Sequence, residues 1–176
     1  VALTFPGQGS QVVGMGKELA DTFAEARDVF AEVDEALGEK LSAIIWDGPA
    51  ETLTLTENTQ PALMAVSLAV IRVLASKGVT VADAAGYVAG HSLGEYSALA
   101  AAGSLTVADA ARLLRIRGRA MQEAVPVGAG AMAALIGLDS ETVAAVAAEA
   151  AEGAVCSPAN DNGGGQVVVS GDKAAV

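Results

Sequence analysis

Apolar residues recur along this chain at two spacings, and the alternation between them predicts an α/β fold. Val1 to Phe5 reads as a short buried strand, and Pro6-Gly7-Gln8-Gly9-Ser10-Gln11 makes a tight glycine-rich turn after it. Phe23, Ala26, Val29, Phe30, Val33 and Leu37 follow at helical spacing, with Asp21 placed as N-cap and Gly38 as the stop. Gly48-Pro49 marks a loop, and Thr59-Gln60-Pro61 opens an apolar helix that reaches Ser76. Gly86 to Gly90 reads as a buried strand. Leu93 to Ala102 reads as a helix stopped by Gly103. Thr106 and Asp109 have capping-box spacing and start a long helix to Glu123.

The pattern changes after Pro126. Gly130 to Ile136 is strand-like and Ser140 to Ala151 is helical. Val155 to Ser157 and Gln166 to Ser170 are strand-like, separated by a loop from Asn160 to Gly165. Asp172 starts a further helix that the chain leaves after four residues, so the sequence reads as a fragment. Strand, helix, strand, strand and the start of a helix make most of a split βαβ unit without its last strand. Two domains are therefore expected, at residues 1–125 and 126–176.

Composition narrows the function classes. The net charge is −11, which argues against nucleic acid and anionic membrane surfaces as partners. The longest apolar stretch, Ala62 to Leu74, is interrupted by Arg72 and reads as a buried helix, not a membrane span. No signal peptide is visible at the start, and the single Cys156 suits a reducing cytosol. Cys156 has nothing near it in sequence to activate it and reads as a structural thiol.

The chemistry concentrates at Gly90-His91-Ser92-Leu93-Gly94. Gly-x-Ser-x-Gly between a strand and a helix is the nucleophile elbow, whose strained turn lifts the serine oxygen clear of the sheet. The same turn leaves N–H groups unpaired at the helix start, Leu93 N–H among them, ready for an oxyanion. A glycine-rich turn with a solvated serine is the other reading of the pattern. His91 is the only histidine. Adjacent residues leaving a strand point to opposite sides, so His91 is expected to pack or hydrogen-bond beneath the elbow rather than act as base. The base is expected outside this sequence. Gly7-Gln8-Gly9 lacks the lysine and the spacing of a phosphate loop.

Five motifs occur in order: Phe5 to Gln11, Thr59-Gln60-Pro61-Ala62, Gly90 to Tyr96, Arg117-Gly118 and Gly130-Ala131-Met132-Ala133. Together they resemble the malonyl-CoA:acyl carrier protein transacylases of bacterial fatty acid synthesis, along the whole chain. The resemblance implies an α/β-hydrolase-like large subdomain with an inserted ferredoxin-like small subdomain, both incomplete here. It implies a cytoplasmic, monomeric enzyme. Its serine takes malonyl from coenzyme A and passes it to the phosphopantetheine thiol of acyl carrier protein. The coenzyme A thioester is a substrate, and no cofactor or metal is implied. By match, Ser92 is the nucleophile, the N–H groups of Gln8 and Leu93 form the oxyanion hole, and Arg117 binds the malonyl carboxylate. Gln60 and Met121 line the pocket, and the loop with Asn160 and Asn162 approaches a base that follows the insertion.

Helix geometry adds an argument for Arg117. At about 100° per residue, Arg112, Arg115 and Arg119 share a face and Arg117 points away from them. The three are expected to form a solvated face, a candidate for docking an acidic carrier protein; Arg117 faces the interior. A guanidinium holds a carboxylate through two parallel hydrogen bonds, though an internal salt bridge would suit the same position. Three rivals stand beside the transacylase. An acyltransferase domain of a polyketide or modular fatty acid synthase shares the motifs. The absence of flanking linker favours a free-standing enzyme, and Leu93 resembles the malonyl-using members. A serine hydrolase or thioesterase needs no Arg117. A non-catalytic acyl-binding module makes Ser92 merely structural.

Overall fold

The computed structural model describes residues 1–126 and 128–176. It is an α/β structure that divides into two compact units, Val1–Gln122 and Glu123–Val176.

In the first unit, β1 (Ala2–Phe5) and β2 (Tyr87–Gly90) pair in parallel, Ala2 opposite Tyr87 and Phe5 opposite Gly90. Between them run α1 (Lys17–Thr22), α2 (Ala24–Leu37), α3 (Leu41–Asp47), α4 (Ala50–Thr54), α5 (Thr56–Ser76) and α6 (Val81–Ala84). α7 (Gly94–Ala101) and α8 (Val107–Ala124) follow β2. The core is aliphatic: Val29, Phe30 and Val33 of α2 meet Ala62, Met64, Ala65 and Leu68 of α5, joined by Leu93 and Leu114. α5 is long and apolar enough to cross a membrane by length and composition, but its apolar centre is buried in this core.

Two expectations about these helices need correction. Asp21 caps nothing, because it lies inside α1. That helix starts early because Gly16, at φ 72°, turns the chain where a Cβ would sit 2.8 Å from the Phe30 ring. Extended Phe23 then separates α1 from α2. α5 begins at Thr56, not Thr59, and carries Pro61 within it. Proline has no N–H, so the Glu57 carbonyl four residues earlier loses its helical donor. Arg115 Nη1 supplies the replacement at 2.7 Å. Asn58 and Thr59 fasten the same turn, donating to the carbonyls of Thr52 and Leu53 at 2.8 and 2.6 Å. α8 starts at the expected cap: Thr106 Oγ1 accepts from the Asp109 N–H at 3.0 Å.

The second unit is a three-stranded antiparallel sheet in the order β3-β5-β4, with α9 (Ser140–Ala151) against it. β3 (Gly130–Ile136) and β4 (Cys156–Asp161) run parallel, with β5 (Gln166–Asp172) between them. That is a split βαβ arrangement. Val143 and Ala147 of α9 bury against Val167 and Val169 of β5. β4 runs longer than expected and takes in Asn160 and Asp161, with an irregularity between Pro158 and Asn160 where proline cannot donate to the ladder. Asp172 closes β5, and its carbonyl accepts from Val176 N–H at 3.0 Å, one turn of helical geometry.

Candidate active site

β1 and β2 leave their sheet side by side, and the segments that follow them build the site. His91 N–H donates to the Phe5 carbonyl at 3.1 Å. A three-residue link, His91 to Leu93, then reverses the chain into α7. Ser92 stands in it at φ 55°, a conformation that costs a serine energy. The flanking glycines show why the turn must be so tight. A Cβ on Gly90 would collide with the backbone of Gly94 and Glu95, and one on Gly94 would collide with the carbonyls of Phe5 and Pro6. Strand, turn and helix therefore approach closer than any side chain permits, and Ser92 is pushed out at the apex, half-buried.

Leu93 is the N-cap residue of α7, and its side chain is buried in the core. Gln8 lies in the turn after β1, with Nε2 donating to Thr56 Oγ1 at 3.3 Å. Among the described residues neither the Leu93 N–H nor the Gln8 N–H has a hydrogen-bond partner.

Arg117 reaches this apex from α8. Its Nη2 donates to Ser92 Oγ at 2.9 Å and its Nη1 to Gln60 Oε1 at 2.5 Å. Gln60 is fully buried, and its Nε2 lies 3.3 Å from Met121 Sδ. Ser92, Arg117, Gln60 and Met121 thus form one connected group drawn from the elbow, α5 and α8. The Gln60 amide has both ends engaged, so its oxygen is fixed toward the guanidinium.

His91 packs with its Nδ1 edge against Gly7, where a Cβ would collide with it, although its side chain is exposed. One expectation fails here. Arg115 is not part of a solvated face: it is 5% exposed, bonded to the Glu57 carbonyl, to Asn58 Oδ1 at 2.6 Å and to the Glu39 carboxylate. Burial pushes its guanidinium below the ordinary arginine value, opposed by Glu39, and it stays charged. Arg112 pairs with Asp109 at 3.2 Å and Arg119 with Glu57 at 3.1 Å, so both partners blunt the charge of that face. A signal for Arg115 exists in the sequence. Val107, Ala110, Ala111, Leu114, Arg115 and Gly118 form a single buried stripe along α8.

Asn160 and Asn162 belong to the second unit, where Asn162 Nδ2 donates to Gln166 Oε1 at 2.9 Å across the turn between β4 and β5. Cys156 is half-buried on β4 beside that unit's core. Among the described residues no group of three or more His, Cys, Asp or Glu side chains is arranged to hold a metal ion.

Comparison with known families matches residues 3–176 to the acyl transferase domain. The chain belongs to the acyl transferase family. Among acyl transferase relatives, the malonyl CoA-acyl carrier protein transacylase of Escherichia coli K12 is 53% identical over 175 residues. That match takes in 99% of this chain and 56% of the relative. The corresponding protein of Bacillus subtilis is 49% identical, over 97% of this chain and 53% of its own. The crystal structure of acyl-carrier-protein-S-malonyltransferase from Bartonella henselae superposes with a TM-score of 0.93 at 62% identity, covering 99% of this chain and 56% of that one. A malonyl-transacylase solved in complex with a type II PKS acyl-carrier protein gives 0.90 at 49% identity, covering 99% of this chain and 55% of that one. The resemblance carried by the motifs therefore holds. This acyl transferase chain spans a little over half the length of the relatives it matches.

Proposed function

We propose that the protein transfers malonyl from coenzyme A to the phosphopantetheine thiol of an acyl carrier protein, in fatty acid synthesis. The observation that carries this reading is Arg117, held by buried Gln60 with its Nη2 donating to Ser92 Oγ at 2.9 Å. A malonyl thioester carries its carboxylate one methylene from the reacting carbonyl. A cation fixed beside the nucleophile suits that short diacid and offers nothing to an uncharged acyl chain. Thioester hydrolysis or simple acyl binding would not require it.

In the first half-reaction Ser92 Oγ bonds to the thioester carbon. Its proton passes to a general base, which we assign to the polypeptide that the relatives carry beyond the matched region. The oxyanion takes hydrogen bonds from Gln8 and Leu93 N–H, the C–S bond breaks, and the proton goes to the departing thiolate. In the second half the carrier's thiol attacks the seryl ester and restores Ser92. Arg117 holds the malonyl carboxylate throughout, which orients the ester and leaves less room for water. Gln60 and Met121 line the acyl pocket.

We further read the first unit as the α/β-hydrolase-like subdomain, supported by the parallel β1–β2 pair and the elbow. The second is read as the ferredoxin-like insertion, supported by β5 lying between parallel β3 and β4. The enzyme is read as monomeric and cytoplasmic, without a cofactor. A second reading of the carrier, as one of polyketide assembly, draws on the relative solved with a type II PKS acyl-carrier protein.

Intact mass after incubation of the full-length protein with malonyl-CoA tests the proposal. A malonyl adduct on Ser92 is expected, discharged by acyl carrier protein. No adduct at any time sinks the acyl-enzyme, and equal labelling by acetyl-CoA sinks the role of Arg117.

A further inference from the structure

Arg115 and Arg117 straddle one contact. Gly118 sits between them on the α8 surface, packed so closely that a Cβ would lie 2.5 Å from Glu57 Cα. At about 100° per residue, Arg115 lies about 60° to one side of Gly118 and Arg117 about 100° to the other. Both grip the same turn of α5, Arg115 through Glu57 and Asn58, Arg117 through Gln60. That turn has no internal means of fixing the Glu57 carbonyl, because Pro61 removed its donor. Glu39, from the segment between α2 and α3, accepts from Arg115 Nη2 and adds a third acceptor to the brace.

We infer that Arg115 is a positioning residue for acyl-group selectivity. By donating to the carbonyl that Pro61 leaves bare, it sets the turn of α5 from which Gln60 aims Arg117 at Ser92. Arg115 touches neither Ser92 nor Arg117's other acceptor, so its effect passes through the backbone of Glu57 to Gln60. The inference rests on the malonyl reading of the site and deepens it: preference for a carboxylated acyl group depends on a residue outside the pocket.

The experiment measures initial rates of Ser92 acylation by malonyl-CoA and by acetyl-CoA in the full-length protein. Arg115→Met is expected to lower the malonyl rate about tenfold and the acetyl rate less than about twofold, since a small misplacement of a binding group is costly only to the ligand it binds. Pro61→Ala returns an N–H to the Glu57 carbonyl. In the Arg115→Met background it is expected to recover about half of the lost preference on a logarithmic scale, a coupling that independent sites do not show. Arg115→Lys keeps the charge but reaches fewer of the three acceptors. It serves if Arg115→Met does not fold, with an expected loss of preference of about threefold.

Equal losses with both substrates, or an unchanged malonyl-to-acetyl ratio, overturn the inference while leaving the proposed function standing. So does a Pro61→Ala change that acts additively. A wild-type protein with no malonyl preference overturns the proposed function and this inference together.

Discussion

Arg117 holds two acceptors at once, Ser92 Oγ and Gln60 Oε1, and replacing it tests its part in the site. Arg117→Ala should lower malonyl transfer about a hundredfold or more, the scale of losing a charge-assisted contact in a preorganised site, with far less effect on residual acetyl transfer. Arg117→Lys should fall between, about tenfold down, because an ammonium keeps the charge but not the two-pronged grip. Rates of Ser92 acylation by the two thioesters check both. Ser92 and Arg117 were legible in the sequence for different reasons. The serine sits in a motif whose glycines dictate its geometry. Arg117 stood out because it falls away from the other arginines of its helix. Arg115 was misread because charge was given more weight than its place in the buried stripe of α8. The acceptors that make its burial tolerable, Glu57, Asn58 and Glu39, are remote in sequence.

Elements obey their terminal residues here, and the exceptions are instructive. The helix starts at Thr106 and Asp139 are local events, each a side-chain oxygen meeting an N–H three residues on. Asp139 accepts from Thr142 N–H at 2.7 Å, and that bond holds its carboxyl below the ordinary aspartate value. The sign follows. A carboxylate whose folded value is depressed contributes its stabilisation fully above the unfolded value, about 4. It loses that contribution as pH falls through the folded value. The protection of the Thr142 amide against exchange, relative to the unfolded chain at the same pH, should therefore fall below about pH 4, and Asp139→Ala should abolish that pH dependence. α5 could not be bounded this way, since proline usually marks a helix's first turn. What moved the start back to Thr56 is a tertiary donor from α8, which no local pattern contains. β4 was cut short for a related reason: Asn160 and Asp161 look like loop residues, and pairing with β5 overrides that preference.

Among the described residues each unit has its own core, and the two are of unequal depth. The first unit buries twenty apolar residues in one cluster, while the second unit's cluster is Val143, Ala147, Val167 and Val169. Hydrogen exchange should accordingly report two levels of protection, with β3, β4 and β5 exchanging ahead of α2 and α5. Val167→Ala should cost the second unit about 1–3 kcal/mol and leave exchange in α2 and α5 unchanged. The break in pattern after Pro126 lies a few residues beyond the division between the units at Gln122 and Glu123. Net charge was the less useful guide. The arginines that suggested a docking face for an acidic carrier are neutralised by Asp109, Glu57 and Glu39.

The φ of 55° at Ser92 has a consequence for how this site persists. Glycine adopts that conformation without steric cost, so Ser92→Gly should raise the melting temperature while abolishing the seryl ester, a gain of about 1 kcal/mol. The inactive protein is then the better folder. Selection for stability alone would favour glycine at position 92. A thermal-shift screen of elbow variants would recover the dead ones at the top of its ranking.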